Sequence, residues 1–415
     1  MPRSSRGDRP QTGPSSPAAP GGAERNPFTP GFGLVPRVLA LQGTPVENFA
    51  AALAGRRGAG ERSVLIAGAR GVGKTVLLGQ LREVAARAGW RTLVLHTSSA
   101  SMVEELRGGA VDLLREVDPE AERMRATSAE GGAFGVRAGA DVEFVDRYAG
   151  EKVPLGRLLE RLAALLTRAG GGLLVSVDEV QSAEHAQLRE VTQHLQDLIG
   201  SGHGAGFLAA GIRTGVDELL AHPGTTFLRR AHRIDISSVD VGTAAEVIRQ
   251  TVADTSRTIT PEAAVRAGEI SHGYPYLIQV IGAEAWARAG EASTIEIEDV
   301  DAARAATVDA MVVNVHGPAL RDVTGRRMDY LQAMLEDEGP SAAGDVADRL
   351  GLDTRAAGVH RARLIGEELL QAAGHGRVEL ALPYLREALE RVRETGSTRR
   401  AAAPAQLTRP VRRNG

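Results

Sequence analysis

The sequence predicts a wound α/β domain on a parallel sheet, then a small helical domain, then a closing module of three helices and a β-wing. Three observations carry that prediction. Short apolar runs alternate with helical patterns between residues 63 and 236; strands give way to helices after Asp240; and from Gly325 three helical patterns precede the segment HGRVELAL.

The apolar runs are SVLIA (63–67), TLVLH (92–96), LLVSV (173–177), FLAA (207–210) and HRIDI (232–236). Their continuous apolar character is that of strands buried on both faces. Helical stretches at 74–88, 154–168 and 186–199 supply the crossovers, and the Gly-rich, weakly patterned segment 120–150 is assigned no structure. After Asp240 come helices at 243–253, 261–270, 276–289 and 297–312, a helical lid. Within it SHGYPYLIQ reads as a fixed turn, with Gly273 freeing the backbone and Pro275 starting the next helix. Helices at 326–336, 342–350 and 354–372, the wing and a closing helix from Tyr384 suggest a winged helix. The expected division is a disordered tail (1–26), an α/β domain (27–240), a lid (241–315), a winged helix (316–394) and a disordered basic tail (395–415).

Composition narrows the classes. A chain of 415 residues exceeds one ordinary core, and 43% apolar with 24% charged residues is a globular balance. There is no cysteine, which removes disulfide frameworks, thiolate zinc sites and cysteine nucleophiles. The first 22 residues lack the apolar core of a signal peptide and no later run reaches spanning length, so a cytoplasmic protein without a membrane partner is expected. A formal charge of -3 makes the chain as a whole no trap for nucleic acid. The five arginines of 395–415, with no acid, form a local exception.

GARGVGKT, Gly68 to Thr75, satisfies G-x-x-x-x-G-K-[ST] between a predicted strand and a predicted helix. Gly68, Gly71 and Gly73, with Ala69, Arg70, Val72 and the following Val76, form a backbone cradle that lets N–H groups approach a β-phosphate at the positive end of a helix. Lys74 is placed to reach the β- and γ-phosphates of ATP, and the Thr75 hydroxyl to ligate Mg²⁺. Only two lysines occur in the chain, so a lysine at this position is not a product of abundance. LLVSVDEV lies about a hundred residues on, where the strand beside the Lys74 loop is expected; it ends in Asp178, read as an Mg²⁺ ligand, and Glu179, read as general base. FLRRAHRIDI sets Arg229, Arg230 and Arg233 around the last predicted strand, and Arg229 or Arg230 is a candidate arginine finger for a neighbouring copy. The histidines, among them His96, His185, His194, His203 and His232, are scattered and read as structural.

The order of GARGVGKT, VDEV, the arginine pair, GYPYLIQ and a winged helix ending in LPYLREAL resembles the AAA+/STAND P-loop ATPases. The likeness is to archaeal-type and origin-recognition-like members, and to an actinobacterial "ATP-binding protein" group that opens with a sequence like PFTPGFG; it covers residues 27 to about 392. It implies a strand order of 5-1-4-3-2, Pro275 and its turn near the adenine, and an ATP-driven movement of lid against sheet. The chain departs from the pattern at Leu41-Gln42, where the group has Gly-Arg. AGIRTG offers Gly211 and Thr214 but no asparagine sensor, and Pro275 stands where many members place a sensor arginine. Slow hydrolysis is the expected consequence.

Two rivals to an ATPase switch remain at this level. A DNA-reading initiator would use the winged helix, yet residues 325–392 hold nine arginines against twelve acids, a net of -3, where DNA readers concentrate positive charge. A non-hydrolysing scaffold would have no use for Glu179.

Overall fold

A computed structural model describes residues 24–31, 36–38, 44–126, 142–146, 148 and 153–402. The expected tails lie outside the described residues over 1–23 and 403–415, and so do Leu41 and Gln42.

Five strands form the central sheet: β1 (Val64–Gly68), β2 (Arg91–Leu95), β3 (Leu173–Val177), β4 (Ala205–Gly211) and β5 (His232–Ile236). All neighbouring pairs are parallel and the order is β2-β3-β4-β1-β5, which read from the other edge is 5-1-4-3-2. One expectation is thereby corrected: β3, which leads into Asp178, is not the neighbour of β1. Between them lies β4, whose seven residues AGFLAAG are all buried and small enough for the centre of a sheet covered on both faces.

Alternation along each strand divides the core. Val64 and Ile66 join a cluster with Leu77, Leu78 and Leu81 of the helix Lys74–Arg87, whereas Leu65 and Ala67 join Leu106, Leu162 and Val191 on the opposite face. Each such leucine, fully buried, stabilises by about 1.5–3 kcal/mol. The opposite face is covered by Met102–Val117, Leu155–Arg168 and His185–Gly200. The first of these was not among the expected crossovers. It is capped by the Ser101 hydroxyl, which accepts from the Glu104 amide at 3.2 Å. An antiparallel hairpin, Glu122–Ala126 with Val142–Asp146, occupies part of the segment left without structure.

Beyond the sheet, Val241–Ala253, Pro261–Ser271, Pro275–Arg288 and Ile297–Met311 pack around Ile248, Ile278, Ile281 and Trp286. Residues 24–31 lie on these helices: Phe28 fills the notch at Gly282, and the Thr29 amide donates to Gln279 Oε1 at 3.1 Å. Pro27 to Gly31, counted with the α/β domain by sequence, thus touch the helical region.

The last helix continues through a π-turn, Val312–His316, into Gly317–Arg321. Then come Arg326–Met334, Ala343–Arg349 and Thr354–Gly366, a three-stranded antiparallel sheet (Ser341–Ala342, Leu370–Ala372, Arg377–Leu380) and the helix Leu385–Ala402. Two expectations are corrected here. The helix expected over 354–372 ends at Gly366, because Glu368 takes a left-handed φ of 59° and sends Leu369 and Leu370 into the core as the start of a strand. The closing helix runs to Ala402, into the segment expected as a tail. Among the described residues no helix is long and apolar enough to cross a membrane.

The Asp118 side chain is fully enclosed beneath the sheet's flanking helices. Burial alone would raise its carboxyl. Hydrogen bonds from Arg161, Tyr148 and the Glu120 amide outweigh burial and hold it well below the usual carboxylate range. A depressed native value means stabilisation that is complete above the unfolded value, about 3.9, and lost as pH falls below it. Arg161→Met, which strands a buried carboxylate, is expected to cost about 3–5 kcal/mol at pH 7 in urea unfolding, with the gap to wild type closing below about pH 4.

Candidate functional site

β1 ends at Gly68, and the chain turns through Ala69 to Gly73 into the helix Lys74–Arg87. Gly71 at φ 78° and Gly73 at φ 96° adopt backbone that a side chain would strain, which is why glycine stands at both. The first amides of the helix have no intrahelical partners, which leaves them free to bind an anion. Lys74 Nζ donates to the Gly68 and Ala69 carbonyls at 2.8 Å each, curling over the loop. Burial pulls its ammonium below the ordinary lysine value, while the carboxylates of Glu368, Asp178 and Glu179 act in the other direction.

The acids at the end of β3 reach this turn although β4 intervenes. Thr75 Oγ1 donates to Asp178 Oδ2 at 2.7 Å, and Asp178 Oδ1 accepts from the Glu179 amide at 2.9 Å. Glu179 sits at φ 52°, an uncommon conformation for a non-glycine residue that turns the chain sharply at the strand end. A hydroxyl and a carboxylate paired beside an ammonium are the hard oxygen donors that suit Mg²⁺ next to a polyphosphate.

Pro275 begins the helix Pro275–Arg288, as expected, but Tyr274 beside it makes the closer approach. A Cβ placed on Gly71 would lie 3.1 Å from the Tyr274 ring and 3.2 Å from its hydroxyl. Tyr274 is buried, its hydroxyl has no hydrogen-bond partner among the described residues, and burial raises its pKa. Gly273 allows this: at φ 64°, its backbone presses on Val239 so closely that a Cβ would sit 1.7 Å from the Val239 carbonyl oxygen.

Arg229 and Arg230 are not brought to the Lys74 turn. They end the turn Pro223–Arg230 before β5, at the amino edge of the sheet, roughly 16 Å along the strand from the carboxyl edge where the turn lies. Arg229 donates to the Leu220 carbonyl at 3.0 Å; Arg230 is exposed, with no side-chain partner among the described residues. Arg233 is committed to Asp217 and Asp235 at 2.5 and 2.9 Å.

Three further groups stand near the turn or the strand ends. At the end of β4 the Arg213 amide donates to Glu368 Oε1 at 3.0 Å and the Thr214 hydroxyl to the Gly366 carbonyl at 2.8 Å, so the C-terminal module closes on the strand ends. Nothing local to Glu368 signals this. Tyr274 lay inside the quoted GYP motif, where only its neighbours were assigned roles. His96 follows Leu95, the register partner of Val177, and so stands level with Asp178; its Nδ1 is 2.5 Å from Glu105 Oε1. A histidine at the tip of a strand with an acid nine residues on was the available signal.

Gly273→Ala is expected to destabilise the fold by about 2 kcal/mol or more in chemical unfolding, since it adds left-handed strain to a backbone collision.

Residues 42–205 match the family model of the AAA ATPase domain, and residues 313–388 match a domain of unknown function, DUF8462. No curated protein matches the chain in sequence. In fold it is similar to the ORC2 protein of Aeropyrum pernix, solved in ADPNP and ADP complexes, at a TM-score of 0.60 and 15% identity over 89% of this chain and 98% of that one. It is also similar to the Walker-type ATPase paby2304 of Pyrococcus abyssi, with a TM-score of 0.56, 15% identity, and coverage of 79% and 90%. Residues 42–205 thus match an AAA ATPase domain, and the chain shares the overall fold of the ORC2 protein and of the Walker-type ATPase.

Proposed function

We propose that the protein binds ATP with Mg²⁺ at the Lys74 turn, hydrolyses it slowly, and converts the difference between nucleotide states into a change in how its lid and winged-helix modules contact the sheet, as a STAND-like switch. The observation that carries this reading is the 2.7 Å pairing of Thr75 with Asp178 beside Lys74, made between segments a hundred residues apart and two strands removed. In this reading Lys74 exchanges its loop carbonyls for β- and γ-phosphate oxygens, and the amides of residues 71–76 hold the phosphate chain. Thr75 and Asp178 would hold Mg²⁺, which when bound would offset phosphate charge. Glu179, exposed one residue beyond, takes the proton of the attacking water.

Slow turnover is supported by what surrounds the strand ends. Thr214 and the Arg213 amide are engaged by Gly366 and Glu368, and the candidate fingers Arg229 and Arg230 stand at the other edge of the sheet. An arginine there serves only a second copy of the chain, so self-association belongs to the reading. Lys74→Ala is expected to abolish ATP binding in equilibrium dialysis. Glu179→Gln is expected to keep binding while lowering single-turnover phosphate release about 10²–10⁴-fold. Wild-type release no faster than that of Glu179→Gln would leave a scaffold instead.

A second reading, DNA contact through the C-terminal module, is favoured by the exposed stripe Arg355, Val359 and Arg363 on the helix Thr354–Gly366, with Val359 64% exposed. Against it stands the acidic balance of the module, and packing on the sheet is the use preferred here. Filter binding of duplex DNA at 50 and 200 mM salt is then expected to stay at background. Retention that falls steeply with salt and requires Arg355 and Arg363 would establish the second reading.

A further inference from the structure

Three segments distant in sequence converge on the Lys74 turn: the turn itself, Tyr274 of the helical region, and residues 366–368 of the C-terminal module. The third is the unexpected one. Glu368 stands just past a helix end at φ 59°, so its placement is imposed by its surroundings rather than by local preference. Its Oε1 accepts from Arg213, the first residue of the nine-residue helix Arg213–Ala221, and the adjoining Thr214 hydroxyl grips the Gly366 carbonyl. Its second oxygen, Oε2, is buried with no hydrogen-bond partner among the described residues. A buried carboxylate oxygen left unpaired costs free energy and persists only where other forces hold it.

Register locates this carboxylate. Gly211 of β4 pairs with Ala67 of β1, the residue immediately before Gly68, so Arg213 lies alongside the mouth of the phosphate turn. The Glu368 charge acts on Lys74, as those of Asp178 and Glu179 do, and also on Tyr274. A helix amide and a neighbouring ammonium are the partners that a terminal phosphate seeks. Here the Arg213 amide is taken by a carboxylate of the same chain, whose charge also acts on Lys74.

We propose that Glu368 is the residue that discriminates ADP from ATP, its carboxylate standing where a γ-phosphate would come, so that ATP must displace the C-terminal module from the ends of β1 and β4 while ADP need not. The inference rests on the reading of the Lys74 turn as an ATP site. Two anions cannot share the Arg213 amide and the field of Lys74 without strong repulsion. The module therefore lowers affinity for ATP selectively, and by reciprocity γ-phosphate binding weakens the module's hold.

The test compares ADP with a non-hydrolysable ATP analogue, each with Mg²⁺, by calorimetry on the full chain. Glu368→Gln keeps an oxygen for the Arg213 amide and removes only the charge. It is expected to raise affinity for the analogue about tenfold or more relative to ADP, within the usual range of coupling between sites. Thr214→Val, which releases Gly366, is expected to shift the same ratio in the same direction. Glu338→Gln, an exposed charge of the same module, is expected to leave it unchanged. In wild type, hydrogen exchange over 211–215 and 366–370 is expected to speed up with the analogue but not with ADP. An unchanged ratio in both Glu368→Gln and Thr214→Val, or equal protection with both nucleotides, would overturn the proposal while leaving the ATP site intact. Failure of wild type to bind either nucleotide would overturn the underlying reading instead.

Discussion

The contact between Gly71 and Tyr274 is the constraint on which the arrangement depends. A glycine with no Cβ lets a fully buried aromatic ring lie against the phosphate turn, and that ring belongs to the same apolar cluster as Leu78 of the sheet side and Met311 and Leu389 toward the C-terminus. One cluster therefore runs from beneath the Lys74 helix to the closing helix. Anything that alters the turn acts on a packed ring, and a packed ring does not yield by degrees. Chemistry at the turn and packing of the modules are in this sense a single mechanical system.

Much of this was legible in the sequence because it rests on local pattern. Five apolar runs, the Gly-x-x-x-x-Gly-Lys-Thr spacing and the Asp-Glu pair depend on residues within a few positions of one another, and the structure places Lys74, Thr75 and Asp178 together. What was not legible has physical reasons. The helix Met102–Val117 was obscured by Gly108 and Gly109, poor helix formers; Gly109 is there because a Cβ would come within 2.8 Å of Leu93 where the helix crosses β2. The end of the helix at Gly366 was hidden because Glu-Glu-Leu-Leu favours helix, and tertiary packing overrides that preference. Glu368 was unreadable in principle: its role comes from the docking of one module on another.

The departures from AAA+ pattern take on meaning in the fold. AGIRTG, at the end of β4, has no asparagine, and Pro275 stands where the resemblance implies an arginine. The structure fills the first neighbourhood with its own Glu368 and Gly366 and the second with Tyr274.

The π-turn at Val312–His316 sets the azimuth of the C-terminal module. Each residue added to a helix rotates the chain beyond it by about 100°, and the wider turn absorbs one such increment between the helical region and the C-terminal module. His316, buried there with Nε2 at 2.8 Å from the Pro383 carbonyl, anchors the junction to the module it carries. A single residue gained or lost at this junction would swing the module about the helix axis with both interiors intact. That rotation would carry Glu368 away from the Arg213 amide at the strand ends.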